Sequence, residues 1–526
     1  MAVRAGEILD RGAGEQKTAQ YSVLHEQGPG RGDSPVVDVD ARVGSPDFDN
    51  THQIKGDQAH SDQDRQPAMD LPVDGDEASI RSVLWLATDR AYKDALKRYL
   101  KVKANRDVTA SEEDASDDFS AAPPRKFFAP VPAPAPDRES WRARLRRLSD
   151  RLKSHPFVHT SAVSVSVRTE NRFILTSEGT EVVTGGSWAR LGYELATRTE
   201  DGMDLERSKS YDSDSLGNFP DDPRVLADMD NSAAELKALA AAPLVEPYTG
   251  PAIIRNRAAG VYFHEILGHR LEGHRQKIES EGQTFTKMVG KPVTAAFLSV
   301  RDDPGLNAFR GQFLRGTYRF DDEGVPPART LLVENGVLRG FLLSRAPIKD
   351  FPSSNGHGRR SFGNDVTPRM GNLIVETSSA VTFAELRRLL MEEVRRQGKP
   401  YGLLFEDITG GFTATSRGSP QSFKVIPLLV YRVFPDGRPD QAVRGVDIVG
   451  TPLTAFTKII AAGDDPQVFN GTCGAESGWV PVSAVSPSLL VSELEVEKKA
   501  KSSEKPPAGG GAGPQRGQGR RGGNPA

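Results

Sequence analysis

From Ala129 to Pro136 every second residue is proline. Proline fixes φ and has no N–H to donate, so the run cannot enter a helix interior or the middle of a sheet. It must travel extended, as a stiff linker of polyproline type. The rest of the chain has to fold around that constraint. On one side, residues 76–101 are predicted to be helical, because Ile80, Leu84, Ala87, Ala91 and Ala95 share one face. On the other side a second helix is expected to start near Ser140. Its apolar residues are Trp141, Leu145, Leu148 and Leu152, and arginines fill a face expected to be solvated.

Strands are expected to follow. Val163, Val165 and Val167 alternate with serines, the period of a half-buried strand. Residues 36–43, 173–175 and 191–196 read the same way. Residues 200–220 are polar and predicted to be loop, and 223–242 are rich in Ala and Leu and predicted to be helical. A short strand at 252–254 leads into a helix running from Asn256 past His264. Asn335-Gly336 between apolar runs 330–333 and 337–343 signals a hairpin. Thr382 and Glu385 form a capping box for a helix with Leu386, Leu389, Leu390 and Val394 on its apolar face, stopped at Gly398. A second hairpin is expected over 425–434 and 442–449, turning at Asp436-Gly437, and the last strands near 489–496.

The predicted class is α+β, with no internal repeat. Residues 1–35 are expected to be a disordered segment. An N-terminal α/β domain takes 36–245, with the proline-rich linker near 119–137. A β-rich domain takes 246–497 and carries the unusual residues, and 498–526 are expected to be a disordered tail.

Charge excludes some functions. The 68 basic and 71 acidic residues leave a net charge of −3, which gives no electrostatic case for nucleic acid or an anionic membrane as partner. No apolar run reaches the ~18 residues of a spanning helix, and no signal-peptide core stands near the start. The 1 cysteine excludes an intrachain disulfide and fits a reducing compartment. A soluble, cytoplasmic protein is expected.

The chemistry sits in Phe263-His-Glu-Ile-Leu-Gly-His269. Zinc peptidases place histidines at i and i+4 of a helix, with a glutamate as general base. Here the spacing is i and i+5, about 140° around a regular helix. The two imidazoles converge only after a local change, for which a π-type turn is expected, with Gly268 supplying backbone freedom. Catalytic zinc takes three protein ligands and a water. The third is open among Glu272, His274 and the distant Cys473, a lone thiol in a glycine-flanked loop. Such a site would polarise a peptide carbonyl and lower the pKa of a water toward ~7, with Glu265 moving the proton. His357 and Arg359, in Asn355-Gly-His-Gly-Arg359, are candidate substrate-side groups.

Each feature also has a plain interpretation. A His-Glu-x-x-x-His string occurs by chance on exposed helices. A single cysteine is more often a small buried hydrophobe than a ligand, and Gly-His-Gly-Arg is more often a turn than a site. The other histidines are scattered, and the acidic stretch around Glu112 is expected to be a solvated loop.

The combination of segments is more specific than any one. The string from Phe263 to Gly273, Phe320-Asp-Asp-Glu-Gly-Val325, Ser354 to Arg359 with Pro368-Arg-Met-Gly-Asn372, and Gly471-Thr-Cys-Gly474 with Val480-Pro-Val-Ser483 together resemble the TldD/PmbA family, once called modulators of DNA gyrase. The likeness covers residues from about 160 to 496. It implies an N-terminal α/β part and a β-rich C-terminal part. It also implies one zinc per chain, held by His264, His269 and Cys473, with Glu265 catalytic. Peptides or unfolded chains are the implied substrates. The implied assembly is a homodimer, or a heterodimer with a family homologue. Retention of all four residues is similar to the active, TldD-like members and argues against the alternative, a non-catalytic peptide-binding partner subunit. The region before about 160 is similar to a longer subgroup, through Asp47-Phe-Asp-Asn-Thr-His52 and the helix with Trp85. His274 stands where many members have Asp, which keeps a closed structural zinc site with four protein ligands in view.

Overall fold

In this computed structural model the valine–serine alternation forms one strand of a long hairpin. Residues 2–4, 8–13, 21–26, 35–54, 68–72, 75–106, 114–132, 134, 136–418 and 422–498 are described. The acidic stretch around Glu112 and most of the C-terminal tail lie outside them. Strand Thr160–Leu175 pairs antiparallel with Glu181–Arg198 over its whole length. Val163, Val165 and Val167 face inward against helices Arg138–Leu152 and Asp222–Ala241. Leu145, Leu148, Leu191, Leu195, Met229 and Leu236 complete this first core. The helix arginines are paired across the helix–helix seam: Arg144 and Arg147 hold Asp222, and Arg151 holds Asp230.

Two expectations for this half change. Residues 200–220 contain strand Asp204–Ser213, paired along Glu181–Arg198. Its polar side chains are used: Arg207 binds Glu235, and Lys209 binds Asp228. Within 1–35, Ile8–Ala13 pairs with Thr160–Leu175 and with Tyr21–Glu26. An unpaired strand edge takes up backbone whatever the composition of the arriving segment; apart from 2–4, the rest of 1–34 lies outside the described residues. The proline run is not a free spacer. Lys126–Ala129 adds parallel to the start of Glu181–Arg198. The Asn171 side chain accepts from the Val131 N–H and donates to the Val131 carbonyl, 2.8 Å each. Prolines tolerate this sheet-edge position because they owe the ladder no N–H.

The C-terminal half has two large sheets and, among the described residues, two small two-stranded ones. In the first, Tyr248–Ile254, Gly402–Thr413, Phe423–Val433, Val446–Gly450 and Leu489–Lys498 pair in a closed ring. Closure removes open edges along that circuit. The N-cap half of the expected capping box forms, the Thr382 hydroxyl accepting from Glu385 N at 3.2 Å, while the Glu385 carboxylate pairs with Arg388. The helix it opens, Phe383–Arg396, packs Leu386, Leu390 and Val394 on the outside of the ring. The second sheet runs Val337–Leu338, Thr330–Glu334, Leu298–Asp302, Asn372–Thr377, Gly478–Ser486, Gln467–Ala475. Asn335 and Gly336 both take left-handed φ, 47° and 79°, as a tight hairpin turn requires. Helix Asn256–Ile266 lies between the two sheets, with Tyr262 and Phe263 fully buried among residues of both. Among the described residues, no helix is long and apolar enough to cross a membrane.

Several contacts tie the halves together, among them the following. Arg207 reaches Asp407 of the ring at 3.1 Å. Arg172 pairs with Asp322. The Phe119 ring is sandwiched between the guanidiniums of Arg42 and Arg345, each 3.9 Å from its centroid.

Candidate metal centre

Helix Asn256–Ile266 stops two residues after His264. No π-type turn follows. The backbone leaves the helix at Leu267 (φ −104°, ψ −54°) and winds into a separate 3-10 turn, Gly268–Leu271. His264 and His269 therefore sit on two elements with different axes, and the 140° problem of one continuous helix disappears. Gly268 is needed for space, since its φ is not left-handed. A Cβ there would lie 2.0 Å from the Met370 sulfur.

Cys473 is in strand Gln467–Ala475, paired opposite Val480, and not in a loop. The second sheet thereby carries the thiol to the helix end. His264 Nε2 lies 3.1 Å from Cys473 Sγ, and His269 Nε2 lies 3.2 Å from it. The two imidazole rings are 4.9 Å apart and nearly perpendicular. All three residues are buried. Glu265 is buried beside them, with Oε2 4.0 Å from His269 Nε2. It packs against the Gly411 backbone, where a Cβ would stand 2.8 Å from its Cγ.

Fit to a metal can be judged from the donors. Tetrahedral zinc with Zn–N of ~2.0–2.1 Å and Zn–S of ~2.3 Å puts neighbouring N and S donors about 3.5 Å apart. The observed separations of 3.1 and 3.2 Å are within a few tenths of that. His269 Nδ1 donates to Glu272 Oε1 at 3.1 Å, which leaves Nε2 to face the sulfur, the usual carboxylate support of a ligating histidine. Two soft or borderline donors and a thiolate suit zinc.

The electrostatics agree with that donor set. Burial would raise the Cys473 thiol, but His269 and His264 overturn it and hold it well below its ordinary value. Burial would lower His269, but Cys473 and Glu272 hold it well above its ordinary value. Glu265 is pushed up by burial, opposed by the two histidines. Glu272, fully buried, is brought down to about 2, His269 and Arg275 outweighing its burial.

The other sequence candidates are placed differently. Glu272 and His274 do not join Cys473. Glu272 stands behind His269. His274 pairs with the Glu476 carboxylate, and Arg275 bridges Glu272 and Glu476 at 2.9 Å each. Glu272, His274 and Glu476 form a second cluster of metal-ligand type, but both of its carboxylates are already paired with Arg275. His357 is fully buried, 3.2 Å from Asp302 Oδ1 and 2.8 Å from Asn355 Oδ1. Arg359 donates to the Met370 carbonyl at 2.6 Å and lies over the Tyr318 ring. Both are committed to internal partners, contrary to the expectation of a substrate-facing role. Sequence reasoning gave no role to Arg369, Arg275 or Glu476. The only signal was an arginine in Pro368-Arg-Met-Gly-Asn372, and a lone arginine does not announce that it is buried.

Comparison with known proteins shows what the chain is similar to. Residues 247–498 match the family described as PmbA/TldA metallopeptidase C-terminal domain. A metalloprotease TldD homolog of Buchnera aphidicola is 26% identical over 252 residues, 47% of this chain and 48% of the relative. A zinc metalloprotease TldD homolog of Saccharolobus solfataricus is 23% identical over 347 residues, 65% of this chain and 72% of the relative. The chain spans about half the length of the first of these. The crystal structure of TldE from Thermococcus kodakarensis shares the fold, with a TM-score of 0.55 at 13% identity, covering 94% of this chain and 95% of that one.

Proposed function

Because the chain belongs to the TldD/PmbA family, we propose that it is a zinc metallopeptidase with its metal on His264, His269 and Cys473. The observation that carries this reading is the convergence of these three donors, mutually within 4.8 Å, in a buried site with Glu265 alongside. Zinc, when bound, supplies Lewis-acid polarisation of a peptide carbonyl and a water acidified toward ~7. The protein's own part is proton handling and orientation. Glu265 takes a proton from the attacking water and returns it to the leaving amine nitrogen. Burial raises the Glu265 pKa, so the carboxylate takes a proton more readily, and a pKa nearer the working pH lets one group serve as base and then as acid. Glu272 holds the His269 ring in the tautomer that presents Nε2.

Peptides or unfolded chains are the proposed substrates. The proposed assembly is a homodimer, or a heterodimer with a family homologue, which light scattering on the purified chain would distinguish from a monomer. The pairing of His274 with Glu476 counts against a closed four-ligand structural site, which would need His274 as the fourth ligand. Zinc per chain, measured by elemental analysis on the wild type, Cys473→Ser and Glu265→Gln, tests the reading. We expect about one zinc in the wild type and in Glu265→Gln, and little in Cys473→Ser. Glu265→Gln is expected to lose ~10²–10⁴-fold in peptide cleavage. A wild type without zinc after reconstitution would overturn the peptidase reading in favour of a non-catalytic partner.

A further inference from the structure

The largest fully buried side chain among the described residues is an arginine, Arg369. A buried guanidinium is costly unless its charge and donors are matched, so its partners show what it is for. Nη2 donates to the Cys473 sulfur at 3.0 Å and to the Cys473 carbonyl at 2.9 Å. Nη1 donates to the Ser477 hydroxyl at 2.8 Å and to the Gly478 carbonyl at 3.1 Å. Nε makes no hydrogen bond but stands at ion-pair distance, 3.3 Å, from Glu272 Oε1, the same oxygen that receives His269 Nδ1.

One planar group thus touches the thiol ligand directly and the imidazole ligand through one carboxylate. It also pins the 475–478 turn, which joins the Cys473 strand to its partner. Arginine suits this position because its donors form a rigid fork, whereas the ammonium of lysine is a point charge on a flexible stem.

We propose that Arg369 is the positioning residue of the centre, holding Cys473 and, through Glu272, His269 in ligating geometry before the metal arrives. This rests on the zinc site proposed above. A plain structural role predicts a different result. A core ion pair would affect stability and leave the metal affinity of the folded protein unchanged, while a positioning role acts on affinity and on the metal–sulfur bond.

The test uses the full chain as wild type, Arg369→Met, Arg369→Lys and Ser477→Ala, with zinc affinity measured by competition against a chromophoric chelator. Cobalt substitution adds the thiolate-to-metal charge-transfer band as a second readout. Loss of such an outer partner typically costs ~10–100-fold in metal affinity. We expect that loss in Arg369→Met, a smaller one in Arg369→Lys and Ser477→Ala, and a weakened or shifted cobalt–thiolate band in all three. If Arg369→Met does not fold, the other two variants decide. Wild-type affinity and an unchanged band in the folded variants would overturn the positioning role. A wild type that binds neither zinc nor cobalt would overturn the site itself.

Discussion

The glycine between the two histidines offers a test that needs no substrate. In Gly268→Ala the new methyl would stand 2.0 Å from the Met370 sulfur and 2.9 Å from its terminal carbon. Ordinary contact is about 3.5–4.0 Å, so Met370 or the 3-10 turn must move by roughly 1.5 Å. Met370 is 1% exposed and has little room. Overpacking of this kind costs ~1–3 kcal/mol. Removing the obstacle alone, as Met370→Ala, costs ~2–5 kcal/mol through the cavity it leaves. The double variant has no clash, so it should fall short of the summed penalties by about 1–3 kcal/mol. Denaturant melts of the four proteins measure that coupling. The same push displaces His269, and metal sites tolerate errors of only about 0.2 Å. Zinc affinity should therefore drop in Gly268→Ala and recover in part in the double variant. If the penalties simply add, or if Gly268→Ala is as stable as wild type, the contact with Met370 is not the reason for glycine here.

Two further expectations concern protons. In the metal-free centre His269 is held well above its ordinary value and Cys473 well below; zinc needs the imidazole neutral, so binding should release a proton and weaken as pH falls. Calorimetry in buffers of different ionisation enthalpy measures the release, and binding with no net proton release and no pH dependence would contradict it. Elsewhere, burial pushes the Glu170 carboxyl up, and Arg172 and Arg168 overturn this and hold it below its ordinary value. A lowered folded-state pKa contributes stability above the unfolded value and loses it as pH falls through the folded one. Glu170→Gln should then cost ~1–3 kcal/mol at neutral pH, with the gap to wild type closing only below about pH 4–5; a gap that widens in acid would refute it.

Local chemistry made much of the frame legible. The valine–serine period, the Asn335-Gly336 turn and the Thr382 N-cap each act within a few residues, and each element appears where its pattern stands. Strand Asp204–Ser213 was hidden because its polar side chains find partners across the sheet and on a helix, which no local window contains. The centre divides the same way. His264, Glu265 and His269 stood in one string. The angle between the histidines was resolved by ending the helix at Ile266 and starting a separate 3-10 turn, which the string itself does not announce. Cys473 came from resemblance, since nothing local distinguishes a ligand thiol from a buried one. Arg369 was invisible because its role lies in what a strand more than a hundred residues later brings to it.

The 1 cysteine of the chain is also the thiol of this centre. A thiolate that has lost its metal is open to oxygen and peroxide, and the first product, a sulfenic acid, is normally rescued by a neighbouring thiol. This chain has no second thiol to form that disulfide. Oxidation at Cys473 therefore waits on an outside reductant or continues to the sulfinic acid, which cannot be reversed in the ordinary way. With zinc on His264, His269 and Cys473 as proposed, metal occupancy and resistance to oxidative damage would be one property. A preparation stripped by chelator in air would lose its site chemically, in a form that added zinc cannot restore.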